Sequence, residues 1–183
     1  ITTGIQIGSG VRTSAITKVF TEGVATNTGN NYDVAIQGQG FFQVLLPSGE
    51  FAYTRDGSFP PNSTGQLVTA DGFLLQPPIS VPIDTLEVTI GTDGTVSVIT
   101  GSNPTQTVIV GNIQLTRFPN PSGLASEGRN LFAQTTASGS PLQGIPGSQG
   151  FGLLQQGFLE LSNVQVVTEM IGLITAQRAF EAS

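Results

Sequence analysis

The sequence predicts a mainly β protein: an irregular β domain of short antiparallel strands and hairpins, with an extended N-terminal arm and a C-terminal helix. Three observations support this prediction. Short apolar runs alternate with turns through most of the 183 residues, which include 24 Gly and 11 Pro. A clear hairpin pattern spans residues 86–99. Only after residue 163 does the apolar spacing lengthen to the three and four residues typical of a helix.

Composition limits the classes of function. The chain has 6 basic and 12 acidic residues, and its basic residues are scattered, whereas nucleic-acid binding needs clustered Lys and Arg. There is no His, Cys or Trp. Most catalytic bases, nucleophiles and soft metal ligands are therefore missing. We predict no enzyme activity, no cofactor, no nucleic-acid partner and no small-molecule substrate.

The elements follow in three parts. Residues 1–31, rich in Gly, Thr and Asn, are predicted to form an extended arm leading into the core. Residues 32–150 form the predicted β-rich outer domain, with strands at 32–36, 41–46 and 51–54. Residues 151–183 are the predicted return segment and the start of an axial helix. We expect a piece of a longer chain, with further terminal helices outside it.

Within the first hairpin, two glycines and an aromatic cluster stand out. Gly38 and Gly40 predict a tight bend rather than a phosphate-binding loop, because a strand follows at once and the third glycine of that motif is missing. The bend admits two rings to the core. The predicted hairpin and core residues are Phe41, Phe42, Tyr53, Arg55 and Phe59. For Arg55 we predict a structural role, either stacking on Tyr53 or capping a turn carbonyl.

The second hairpin pairs residues 86–90 with 95–99 across a Gly-Thr-Asp-Gly turn. Alternation predicts Leu86, Val88 and Ile90 on the buried face. Prolines 77, 78 and 82 predict an edge or crossover, because proline lacks the N–H that a central strand needs. Further short strands are predicted at 107–110, 113–118 and 131–135, and a surface linker at 138–150.

Acidic residues beside glycines predict turns. Asp56-Gly57, Asp71-Gly72 and Asp93-Gly94 lack the alternate oxygen ligands of a calcium loop, whereas Asp and Gly are the residues that tight turns prefer. A glycosidase needs two carboxylates that flank a cleft, and such pairs can be chosen from this sequence. Because the chain has twelve acidic residues, some pair is inevitable, so this pattern does not indicate a glycosidase.

The last part of the chain predicts an amphipathic helix over residues 163–181. Two neighbouring apolar stripes form a face too broad for packing on one sheet, and a helix of this length is marginal alone in water, so it needs a partner. The predicted assembly face consists of Val164, Val167, Met170, Ile171, Ile174 and Phe180.

Three segments carry a family resemblance. Residues 30–44 (NNYDVAIQGQGFFQV), the pair 53–59 (YTRDGSF) and 65–76 (GQLVTADGFLLQ), and residues 154–181 ending in QRAFE resemble the axial proteins of the bacterial flagellar rod and hook. Residues 4–23 resemble the segment before the β domain in the distal-rod branch. The distance from Phe42 to Gly150 is too short for the large extra domain of hook proteins.

The resemblance implies a structural subunit that polymerises into a rigid hollow tube and transmits torque from the motor to the hook. It implies as partners other copies of the chain, other rod proteins, the hook protein, and the peptidoglycan and outer-membrane ring proteins. It also implies export without a cleaved signal peptide and residence in the periplasmic basal body. The alternatives are a secreted β-rich surface or carbohydrate-binding module, or a proximal rod or hook protein.

Overall fold

The protein is mainly β in its computed structural model, which describes residues 15–20, 22–161 and 164–169. The strands of this part of the chain are β1 (Ala15–Phe20), β2 (Ala25–Asn27), β3 (Val34–Gln37), β4 (Phe42–Leu45), β5 (Phe51–Thr54), β6 (Leu74–Gln76), β7 (Thr85–Ile90), β8 (Thr95–Thr100), β9 (Asn103–Asn112), β10 (Leu115–Arg117), β11 (Ala125–Gly128), β12 (Leu131–Ala133), β13 (Leu142–Gly144), β14 (Leu153–Gln156), β15 (Phe158–Glu160) and β16 (Val164–Glu169). A short 3-10 helix covers Pro121–Gly123. The mainly β class and the short antiparallel strands are confirmed.

The chain divides into two units. In the smaller unit, β1 pairs antiparallel with β16, from Ala15 opposite Glu169 to Phe20 opposite Val164. The larger unit runs from residue 22 to 163 and contains all the other strands.

The larger unit is built around a five-stranded antiparallel sheet with the order β11-β12-β5-β4-β6. β4 lies inside this sheet between β5 and β6, and its Phe42 and Val44 are completely buried. The core cluster extends from this sheet to Leu67, Ile79 and the second hairpin. β6 is the last strand of this sheet and is followed directly by Pro77, but its other side is covered, because Leu75 donates to the carbonyl of Leu67 at 3.0 Å.

The second hairpin forms a three-stranded sheet with the order β9-β8-β7. Val88, Ile90, Val96 and Val98 are buried as the alternation predicts. Leu86 is an exception, because a register shift between Thr85 and Glu87 leaves it outside the alternation and 68% exposed. A β-bulge of this kind inserts a residue into one strand, so a strict period of two fails there.

Two segments differ from the sequence-based prediction. The predicted surface linker 138–150 contains β13, which pairs with β10, and the side chain of Ser138 is fully buried. Residues 164–169, the predicted beginning of the helix, form β16 instead. Three valines and a threonine fill this strand, and β-branched residues fit a paired strand better than an isolated helix. The rest of the predicted helix lies outside the described residues.

Candidate functional site

The predicted hairpin residues fall into two aromatic groups and one ionic group. Phe42 in β4 and Phe59 meet edge to face in the central core, with ring centroids 5.0 Å apart. Both side chains are almost completely buried. Such pairs stabilise by about 0.5–1.5 kcal/mol beyond their buried area. This contact ties β4 to the chain beyond β5.

The second aromatic group is organised by Phe118, which sequence reasoning placed in a strand without singling it out. Its ring contacts Tyr53 edge to face at 4.8 Å and Phe41 at 6.0 Å between centroids. Phe41 also contacts Phe132 at 6.3 Å. Burial raises the pKa of Tyr53 above its ordinary value of 10.0, and the hydrogen bond from Gln43 lowers it in part. The consecutive rings Phe41 and Phe42 thus join different groups.

Arg55 caps carbonyls, as one of its two predicted roles requires. Its guanidinium donates to the carbonyl oxygens of Gly38 at 2.7 Å, Gly40 at 2.9 Å and Ile36 at 3.2 Å. Ile36 lies in β3, and Gly38 and Gly40 lie in the bend between β3 and β4, where both glycines have positive φ. One side chain from the end of β5 therefore fixes the conformation of a bend that has few side chains of its own.

The same guanidinium makes an ion pair with Glu160 in β15. Arg55 donates through Nε to Oε2 at 3.0 Å and through its second nitrogen to Oε1, in the two-pronged geometry that favours Arg over Lys. The Glu160 side chain is only 4% exposed and that of Arg55 16%. We call Arg55, Glu160 and the carbonyls of Ile36, Gly38 and Gly40 the Arg55 node. It joins the bend to β15, the last strand of the larger unit in sequence.

Glu160 was missed by sequence reasoning. A signal was present, because residues 130–159 carry no charge and Glu160 is the first acid after them. An isolated acid between apolar residues, with a structural Arg elsewhere, favours a buried pair. Nothing in the sequence, however, says which of the scattered basic residues it meets.

The Asp-Gly turns have two different causes. Gly72 and Gly94 have positive φ, as predicted. Gly57 does not; a Cβ there would lie 1.7 Å from the carbonyl oxygen of Val34. Close backbone approach therefore requires this glycine, since Val34 donates to the Gly57 carbonyl at 3.0 Å and Phe59 to that of Tyr32.

The predicted assembly face is only partly described. Val164 and Val167 lie in β16, opposite Phe20 and Thr17 of β1. Met170, Ile171, Ile174 and Phe180 lie outside the described residues, so the helix face remains a prediction.

Among residues 15–20, 22–161 and 164–169, no group of three or more acids is placed to hold a metal ion. No helix in the same ranges has the length and apolar character needed to cross a membrane. The guanidinium of Arg117 lies over the ring of Phe151, 5.6 Å from its centroid, beside a shallow groove that also borders Gly38.

Comparisons with known proteins agree with this arrangement. Residues 35–98, which include most of β3, all of β4 to β6 and most of the second hairpin, match a model of the flagellar hook protein FlgE/F/G D1 domain. Residues 155–183 match a model of the flagellar basal body rod FlgEFG protein C-terminal region. Arg55 lies in the first match and Glu160 in the second.

The relatives decide the family. A flagellar basal-body rod protein FlgG of Buchnera aphidicola is 47% identical over 178 residues, which cover 97% of this chain and 68% of the relative. The corresponding protein of Caulobacter vibrioides is 46% identical over 181 residues, covering 99% and 69%. This chain belongs to the flagellar basal-body rod family.

Within the rod family the chain is most like the distal rod protein FlgG. A rod protein FlgF of Caulobacter vibrioides is also similar, at 40% identity over 176 residues, covering 94% of this chain and 66% of the relative. The chain is thus a structural subunit of the flagellar basal body, in a family that assembles with other rod and hook proteins. The alternative of a secreted carbohydrate-binding module is not favoured.

Proposed function

We propose that this chain is a subunit of the flagellar distal rod that polymerises into a rigid, hollow helical tube and transmits torque from the motor to the hook. The observation that carries the proposal is the extent of the similarity to FlgG proteins, which covers 97% or more of the chain in several relatives. A similarity of this extent spans nearly the whole chain rather than one part of it. The proposal gives the chain no catalytic role.

The larger unit supplies the stiffness that such a shaft needs. Its aromatic groups connect neighbouring strands. Arg55 binds the carbonyls of Gly38 and Gly40 in the bend and is itself held by its ion pair with Glu160. Packed protein interiors have low compressibility and transmit strain. A unit built in this way is suited to pass load to its neighbours without changing shape.

A tube grows when one surface of a subunit binds a different surface of the next and the rotation does not close a ring. We propose that the segment containing Val164, Val167, Met170, Ile171, Ile174 and Phe180 contributes to these contacts. In β16, Val164 and Val167 already pair with β1. Apolar residues over the rest of the segment would then bury against neighbouring copies, each large side chain contributing about 1.5–3 kcal/mol.

In the cell, the rod would be in contact with other proteins of the flagellum. The ring proteins of the peptidoglycan layer and the outer membrane would surround the shaft and let it turn, and the hook protein would continue it. The subunit would be exported without a cleaved signal peptide and would reside in the periplasm.

Self-assembly can be tested with a purified protein. The 181 matched residues of the Caulobacter vibrioides relative are replaced by the corresponding part of this chain, so that the flanking segments of that protein are kept. We expect sedimentation of this exchanged protein to detect large polymers, and negative-stain electron microscopy to show straight hollow tubes. An exchanged protein that stays monomeric at every concentration, while the Caulobacter vibrioides protein polymerises, would contradict the proposal.

A further inference from the structure

β9 is the longest strand of the described chain, and it lies at an edge. The strand runs from Asn103 to Asn112, and six of its ten residues pair with β8; among the described strands none pairs with its other side. Within residues 22–161, no backbone hydrogen bond from positions 104–110 runs to any element except β8. As far as the described residues go, the outer row of N–H and C=O groups in this stretch is open to another strand.

The other edge of the same sheet is covered. The side chain of Gln156 lies against β7, donating to the carbonyl of Val88 at 3.0 Å and accepting from the N–H of Ile90 at 3.1 Å. The amide of Gln156 also donates to the carbonyl of Asn31 at 2.8 Å. One amide group thus occupies two of the hydrogen-bonding positions that a further strand would use on β7, whereas no side chain among residues 22–161 covers the outer edge of β9 at Thr107–Ile109 in this way.

The outer edge of β9 also lacks the usual protection by charge. Residues 94–116 contain no Asp, Glu, Lys or Arg. Residues 103–109 are all exposed, and among them Val108 is 44% and Ile109 69% exposed. Native proteins commonly protect edge strands with Lys or other charges, and an exposed apolar edge marks a place where another chain binds. Register shifts on both sides confine the regular part to Thr107–Ile109.

We propose that the outer edge of β9, centred on Thr107–Ile109, accepts a strand from a second copy of this chain in the assembled rod. This inference rests on the proposed function, because it names one contact through which the polymer grows. The formal charge of −6 argues for this place: two identical acidic chains repel, and an uncharged edge lets them approach without burying carboxylates. Backbone hydrogen bonds then supply the binding, with Val108 and Ile109 adding apolar contact.

The test uses a Caulobacter vibrioides strain in which the matched part of the rod gene product is replaced by this chain. Ile109→Lys places a charge on the proposed edge, and Leu142→Lys makes the same change at a side chain that is 60% exposed in β13. We expect Ile109→Lys to lower the number of complete rods in isolated basal bodies at least about tenfold, because a charged edge strand resists pairing. Leu142→Lys should stay within about twofold of the parent, since isolated surface changes are mild.

A conservative variant keeps the test sharp if the lysine disturbs folding. Ile109→Thr keeps a β-branched, uncharged residue and should leave rod formation near that of the parent. As many complete rods with Ile109→Lys as with the parent would overturn the inference, as would an equal loss in Leu142→Lys or in Ile109→Thr. If the parent exchange itself forms no rods, the proposed function fails, and the inference falls with it.

Discussion

Arg55 holds together parts of the larger unit that are far apart in sequence. The residue binds carbonyls from residues 36–40 and a carboxylate at Glu160, so a single guanidinium fixes both the entry to β4 and the strand β15. Sequence reasoning identified Arg55 as structural and gave carbonyl capping as one possible role. It could not supply Glu160, because the pairing depends on a separation of 105 residues that no local pattern records.

Removing the guanidinium should be costly for the fold. Arg55→Ala leaves Glu160 buried without its counter-charge and leaves three carbonyls without their donor. We expect the free energy of unfolding to fall by about 3–5 kcal/mol, the usual effect of breaking a buried ion pair. Urea denaturation followed by circular dichroism measures this change.

Arg129→Ala is the matched control. Its partner is Asp71 at 3.5 Å, but both side chains are well exposed, at 70% and 38%. An exposed pair of this kind contributes at most about 1 kcal/mol. Equal losses of stability in the two variants would show that the Arg55 node does not hold the unit together.

At the scale of elements, local patterns predicted β3, β4, β5 and the second hairpin, but they did not predict β2, β6, β11, β14 or β15. The alternation from Val88 to Val98 gave the second hairpin, because one face is buried and period two is then strict. Leu86 does not follow that alternation, because a bulge shifts the register beside it. The pattern did not predict β13, because the strand lies in a Gly- and Pro-rich stretch and its partner β10 is distant in sequence. For residues 164–169 the apolar spacing predicted a helix, but these residues pair with β1 and form a strand.

The second hairpin should also lose stability in acid. Hydrogen bonding from the side chain of Ser102, and from its backbone N–H at 2.9 Å, lowers the pKa of the Asp84 carboxyl below its ordinary 3.8. Asp93 accepts from the backbone of Thr95 at 3.0 Å, with the same effect on its pKa. A lowered folded-state pKa means stability that is fully present above the unfolded pKa and is lost as pH falls through the folded pKa.

The double variant Asp84→Asn, Asp93→Asn keeps one acceptor oxygen at each position, but its side chains cannot titrate. We expect its melting temperature to fall less than that of the parent between about pH 5 and about pH 2, where carboxylates protonate. Thermal unfolding at a series of pH values measures the difference. Identical slopes for the two proteins would mean that these carboxylates do not contribute to the acid sensitivity.

At the scale of the whole molecule, the proposed rod subunit combines a packed β unit with contacts to neighbouring copies at its boundaries. The interior of that unit is held by aromatic pairs and one buried ion pair, and its open edge at β9 is uncharged. The family could be identified from short segments because turn glycines, aromatic residues and Arg55 are required by the fold itself. For contacts between subunits, sequence reasoning offered only the apolar face that includes Val164 and Phe180, which stays a prediction, because such contacts depend on surfaces that meet only in the assembly.

The central claim is that this chain is a structural subunit of the flagellar rod, and replacement in a living cell tests it most directly. In a Caulobacter vibrioides strain whose own protein carries this chain in place of the matched residues, basal bodies are isolated and imaged by electron microscopy. The account predicts complete rods that bear hooks. Basal bodies that stop before the distal rod, in cells that produce and export the exchanged protein normally, would contradict it.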